Sequence, residues 1–261
     1  MLKREVKLDK PNQLISIKPQ KEISLLQQKC INLLFKTAQD IIAKKDKEIA
    51  KDKRYIYYIS CKELKERAGV EKKDYNYIEE ELRKLTEIRV DVVAKDNKDN
   101  WATFSLLERI ERIGDKFEFS LDWLIVKALK EYNFYTKLDL LQIANLKSKY
   151  SVILYEMAVR YKEFMPDKMS VEEVRKRTGT TDKYASYSNF RRRVLDPACE
   201  EISEKTNIDL SYEPIKTGRK ITHLSFEVKI KEKIPELINY DQQLDSAWNR
   251  QANEAIKSIV K

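Results

Sequence analysis

Ser60–Gly69 reads SCKELKERAG, and 110 residues further on Ser170–Gly179 reads SVEEVRKRTG. Ser60/Ser170, Glu63/Glu173, Arg67/Arg177 and Gly69/Gly179 are identical, and Leu64/Val174 is conservative. Each copy opens on a serine suited to an N-cap, places a glutamate three residues on as a capping box requires, and ends on a glycine suited to a left-handed C-cap. Each is therefore a short helix. A supersecondary unit that occurs twice decides the architecture before any single motif does.

The flanks repeat as well. Ahead of each copy lies an amphipathic segment, SLLQQKCINLLFKTAQDII (Ser24–Ile42) and LKSKYSVILYEMAVRYK (Leu146–Lys162), with apolar residues recurring at three and four. Behind each copy comes a second helical segment, DYNYIEEELRKLTEI (Asp74–Ile88) and YSNFRRRVLDPACEEISEKT (Tyr187–Thr206), the latter with a bend expected at Pro197. Period-two segments follow. In the first half they are RVDVVA with WATFSLLERI, and in the second IDLSYEPI with ITHLSFEVKI, where Gly218 marks the turn.

Helix, short strand, helix, turn, helix and hairpin is the winged helix-turn-helix order. The fold class is thus α+β, mostly helical, with two tandem winged helix-turn-helix domains related by an internal repeat. The reading places a first domain at 1–135, a second at 136–235 and a tail at 236–261. Phe117–Leu146 reads as a strand and apolar helical turns, so the two units are expected to pack firmly. Lys44–Arg54 has alternating charge signs and reads as a solvated helix end and loop.

Composition narrows the function. With 42% hydrophobic and 36% charged residues, the 261-residue chain is too apolar for disorder and too charged for a membrane protein, and no signal peptide or membrane span is expected. A cytoplasmic location follows as an expectation. Four glycines leave no room for a Walker loop, a dinucleotide fingerprint or a nucleophile elbow. A single histidine, His223, excludes paired-histidine metal sites and the His-hydrophobe-His triplet of rolling-circle nucleases. Cys30, Cys61 and Cys199 are odd in number and far apart, which suits buried structural thiols rather than disulfides or zinc. The expectation is a non-enzyme with no catalytic residue, cofactor or metal. A net charge of +9 points to a polyanionic partner, and nucleic acid is the commonest.

The cations concentrate in the second unit. Phe190, Val194, Ala198 and Ile202 mark a core face, so at about 100° per residue Arg192 points the other way, with Arg191 and Arg193 beside it. From Lys183 to Leu195 there is no acid, and a second acid-free stretch, Pro214–Phe226, holds Lys216, Arg219 and Lys220 at the wing tip. The candidate DNA-contacting set is Lys183, Tyr184, Ser186, Asn189, Arg191, Arg192, Arg193, Lys216, Arg219 and Lys220, with Lys72, Lys73 and Asn76 from the first unit. In that unit Glu79, Glu80 and Glu81 follow at once, and acids there repel phosphate. Its share is expected to be backbone contacts, protein association, or both.

From Ile23 to Ile230 the chain resembles the iteron-binding plasmid replication initiators, the family 3 initiator Rep proteins. The resemblance rests most on NFRRRVLDPACEEISEKTNIDLSYEPIKTGRKITHLSFEV (Asn189–Val228), similar to that family's recognition helix, Gly-Arg wing and Thr-His strand, and on SKYSVILYEMAVRY (Ser148–Tyr161). It implies a monomer that binds direct DNA repeats at a plasmid origin, helps open adjacent DNA, and recruits the host initiator and replicative helicase. It also implies a homodimer, formed mainly through the first domain, that binds an operator inverted repeat and represses the initiator's own gene. Carried over by position, Arg192 and Arg193 match recognition-helix arginines, and Lys216, Arg219 and Lys220 the basic wing. Ser186 departs from members that carry arginine there, so the resemblance implies a different base contact at that position. The same surface would serve a winged-helix transcriptional regulator with no origin function. A tyrosine-dependent nuclease is the reading from another class, and nicking of supercoiled DNA would decide it.

Overall fold

The computed structural model describes residues 6–15, 21–43, 53–70, 75–93, 101–131, 134–163, 165–166 and 168–231. Strand β1 (Lys7–Pro11) and the single turn α1 (Asn12–Ile15) lead to α2 (Leu25–Ile42). The first unit continues with β2 (Ile56–Ser60), α3 (Cys61–Arg67), α4 (Tyr75–Thr86), β3 (Arg89–Val93), β4 (Trp101–Ser105), β5 (Arg109–Ile113) and β6 (Lys116–Ser120). Next come α5 (Trp123–Lys130), β7 (Tyr135–Asp139) and α6 (Leu140–Asn145). The second unit is α7 (Lys149–Tyr161), β8 (Met169–Ser170), α8 (Val171–Thr178), α9 (Tyr187–Phe190), a π turn at Arg191–Leu195, α10 (Asp196–Lys205), β9 (Ile208–Thr217) and β10 (Lys220–Ile230).

The repeated decapeptides fold alike at both ends. Ser60 Oγ accepts the Glu63 N–H at 3.0 Å, and Ser170 Oγ accepts the Glu173 N–H at 3.1 Å. Gly69 (φ 72°) and Gly179 (φ 63°) both lie in the left-handed region. Each closes the same C-terminal motif: Gly69 and Val70 donate to Glu66 and Lys65 carbonyls, and Gly179 and Thr180 to those of Lys176 and Arg175. The glutamates correct the expected capping box, because neither returns to its own N-cap. Glu63 instead faces Arg67 at 2.9 Å and Glu173 faces Arg177 at 3.0 Å, one turn along. The full reciprocal box occurs at Ser24 and Gln27, where α2 begins.

The two sheets share one topology, β2-β6-β5 and β8-β10-β9, with Ser60 opposite Lys116 and Ser170 opposite His223. This corrects the first wing. Its topological counterpart is β5–β6, whose Gly114-Asp115 turn stops beside Ser60, whereas β10 runs on from His223 to Lys220 and carries its turn well beyond Ser170. The expected hairpin, β3–β4, is an addition between α4 and the wing. WATFSLLERI is split between β4 and β5 because Leu106 turns inward, fully buried, and donates its N–H to Ile88 O.

Helix α2 is buried around most of its circumference, through Cys30, Ile31, Leu34, Phe35 and Ala38 among others, and packs against α4, α5, α6, β1, β2 and α7. Helix α7 in turn packs against α8, α10 and β9, so one apolar cluster runs through both units. The three cysteines lie in it, and burial raises the Cys30 and Cys199 thiols to about 12, where they are inert. A pairing absent from the sequence reading joins β1 to β7. It brings Lys10 into the interior, where its ammonium donates to Asn32 Oδ1 at 2.9 Å and to both oxygens of Glu156, at 3.0 and 2.8 Å. Residues 44–52 of the expected loop, and the expected tail, lie outside the described residues.

Candidate nucleic-acid interface

The second helix-turn-helix is held by a residue that the sequence reading passed over. Arg175, on α8, sends its guanidinium under the turn that links α8 to α9. One terminal nitrogen donates to the Thr180 and Lys183 carbonyls at 3.2 and 2.8 Å, and the other to those of Tyr184 and Ser186 at 2.8 and 3.4 Å. Its plane also lies 4.3 Å from the Phe190 ring centroid, a cation–π contact to the fully buried first core residue of the recognition helix. Burial pulls its pKa below the ordinary arginine value. Tyr184, at φ 55°, is strained for a non-glycine residue, and the fork on its carbonyl holds it there.

The recognition helix is not a bent α-helix. Its core residues Phe190, Val194, Ala198 and Ile202 are all buried at a strict spacing of four. Over twelve residues that spacing would drift about 120° around a regular helix of 3.6 residues per turn. The π turn removes the drift, with the Asp196 N–H reaching back five residues to Arg191 O. Pro197 supplies the cause: it has no N–H for the Arg193 carbonyl, and its ring forces that carbonyl aside. The wider turn also carries Arg193 off the core face and leaves it exposed.

The candidate residues then fall into different roles. Arg191 is exposed but pairs with Asp196 at 3.0 Å, which raises its pKa. Arg192 is exposed, with one weak hydrogen bond to Asn189 Oδ1 at 3.3 Å, so the two present a joint donor and acceptor edge. The Arg193 side chain makes no ion pair or hydrogen bond among the described residues. The same holds for Lys216, Arg219 and Lys220, all exposed at the wing tip. Ser186 caps α9, accepting the Asn189 N–H at 3.2 Å, and Tyr184 is half-buried against the core, so both shape the interface more than they present it. Lys183 is exposed and paired with Glu22 at 2.6 Å. His223 is half-buried in β10 and bonds Thr222 Oγ1 through Nδ1 at 2.9 Å, a structural place.

In the first unit, Lys72 and Lys73 lie outside the described residues, while Asn76 and Tyr77 are exposed on α4. The three acids that follow do not form a repelling face. Glu79 is paired with Arg112 from the wing. Glu81 is buried, accepting from Ser24 Oγ and, at 2.9 Å, from Lys84. Only Glu80 points outward, 65% exposed.

Among the described residues no cluster of His, Cys, Asp or Glu could hold a metal ion, and no helix is long and apolar enough to cross a membrane. Residues 7–159 match the family model described as Initiator Replication protein, WH1, and residues 170–228 match that described as Initiator Rep protein, WH2. The solved structure of the Pi initiator protein in complex with iteron DNA is similar at a TM-score of 0.61 and 19% identity, over 89% of this chain and 100% of that one. Matched over 7–159 and 170–228 by two family models of initiator Rep proteins, the chain belongs to the initiator Rep protein family.

Proposed function

We propose that this protein is a non-catalytic plasmid replication initiator that binds double-stranded direct repeats at an origin as a monomer. In this reading it assists origin opening and recruits the host initiator and replicative helicase, and as a homodimer on an operator inverted repeat it represses its own gene. One observation carries the DNA-binding core of the proposal. Arg192 and Arg193 on the recognition helix, and Lys216, Arg219 and Lys220 on the wing, are exposed cations of one unit with no acidic partner among the described residues. A recognition helix seats in the major groove and a wing meets the phosphates beside it. The similar Pi initiator protein was solved in complex with iteron DNA, which supports duplex DNA as the partner of this surface.

Selection from random duplexes, followed by salt titration of the winner and a scrambled control, tests this reading. The expected winner spans about two helical turns, recurs as direct repeats near the gene, and far outbinds the control. Replacing Lys216, Arg219 and Lys220 by alanine should flatten the plot of log affinity against log salt by about 0.9 for each phosphate that is no longer neutralised. Equal binding of both duplexes would reduce the surface to electrostatics.

Arg192 is assigned to a guanine, whose O6 and N7 accept a bidentate pair. Arg192→Ala should weaken the selected duplex by about 1–3 kcal/mol and leave random DNA nearly unchanged. Equal losses on both would make it a phosphate contact.

A further inference from the structure

The recognition helices of the two units align through their buried positions, although the turn that precedes the helix is two residues longer in the second unit. Helices α4 and α9 each carry a half-buried tyrosine ahead of their first core residue, Tyr75 and Tyr187. Three residues on stand Ile78 and Phe190, and four further Leu82 and Val194, all at most 1% exposed. Glu80 therefore occupies in the first unit the place that Arg192 occupies in the second, two residues past the first core anchor and pointing outward.

Its surroundings are arranged for a single outward carboxylate. Glu79 and Glu81 are neutralised by Arg112 and Lys84, so the acidic triplet offers DNA one acid rather than three. Lys84, shared with Glu81, also holds one oxygen of Glu80 at 3.0 Å, which fixes the side chain while one net negative charge stays on the triplet. Asn76 and Tyr77 are exposed on the same helix, one turn nearer its start.

A carboxylate can only accept hydrogen bonds. Phosphates repel it, which leaves the exocyclic amino groups of the major groove, on cytosine N4 and adenine N6. Adenine sets its N7 lone pair beside that amino group, opposed to a second carboxylate oxygen, whereas cytosine sets no acceptor there. We propose that Glu80 is a specificity-determining residue that reads a cytosine, so that the first unit recognises a C·G pair where the second recognises guanine through Arg192. The assignment rests on the origin-binding reading above.

The experiment measures binding of the full chain to the selected duplex and to a panel that carries every single base-pair change. The wild-type protein should show one C·G pair, about one helical turn from the bases that respond to Arg192→Ala, whose replacement costs roughly tenfold or more. In Glu80→Ala that dependence should fall below about twofold while the other positions keep theirs. Glu80→Gln should move the preference at that position towards adenine, which glutamine pairs bidentately. An unchanged panel for both variants would overturn the assignment alone. A uniform rise in affinity for every duplex, the scrambled control included, would also overturn it, because Glu80 would then merely repel phosphate. A wild-type protein with no sequence preference would remove the origin-binding reading, and this one with it.

Discussion

Arg175→Ala should abolish sequence-specific DNA binding while leaving a weak, salt-sensitive association with any duplex. The guanidinium satisfies four carbonyls of the turn at 2.8–3.4 Å and lies on the Phe190 ring. Hydrogen bonds to a charged group contribute about 1.5–3 kcal/mol each when removed singly, and bonds that share one donor group do not add. A loss of roughly 3–4 kcal/mol in stability is a reasonable sum. Without the fork the Tyr184 carbonyl loses its hydrogen bond and the φ of 55° loses its main backbone restraint, and relaxing that residue changes the direction in which the chain enters α9. The arginines of the recognition helix would then be displaced together. Arg175→Lys separates position from charge, because one ammonium keeps the net charge yet cannot span four carbonyls or stack on the ring. Thermal denaturation and binding to the selected and scrambled duplexes measure both effects. A lysine variant with unchanged melting temperature and specific affinity would show that Arg175 is incidental to the turn.

What could be read from the sequence is what the backbone itself dictates. Ser60, Ser170, Gly69 and Gly179 sit where a helix needs a cap or a left-handed residue, so the repeat that they form was legible, and with it the two winged units. Partnerships across space were not. Glu79 finds Arg112 thirty-three residues away and Glu81 finds Ser24, so three consecutive acids that look repulsive in sequence present one carboxylate. Strand β1 was hidden for a related reason. KLDKP has a single large apolar residue, Leu8, and its other inward side chain is Lys10, whose burial depends on a carboxylate 146 residues on. The π turn, by contrast, was written in the spacing of four from Phe190 to Ile202 together with Pro197. A straight 3.6-residue reading assigned Arg192 correctly to the outside and missed why Arg193 joins it. Arg175 had a weaker signal, in that Lys65 occupies its place in the first copy and lies over Tyr75 as Arg175 lies over Phe190.

The buried triad predicts the second large effect. Lys10 from β1, Asn32 from α2 and Glu156 from α7 form a closed set, with Asn32 Nδ2 also donating to Glu156 Oε1 at 2.8 Å. The side chains of Lys10 and Glu156 are only 7% and 10% exposed. Removing one member of a buried pair strands the other charge, which costs about 3–5 kcal/mol, whereas replacing both by apolar residues of similar volume is often neutral or stabilising. Glu156→Leu should therefore lower stability by about 3–5 kcal/mol, and Lys10→Met by a similar amount. The double variant Lys10→Met, Glu156→Leu should recover most of the loss, with the Asn32 amide left as the residual cost. Urea unfolding of the four proteins gives the coupling energy directly. Because the triad joins the first strand to the helix that packs both units together, the single variants should also show a lower m-value or a second transition if the units begin to melt apart. Single-variant losses below about 1 kcal/mol would mean that water reaches the pair, and that the orientation of the two units rests on the apolar cluster around α2 and α7 alone.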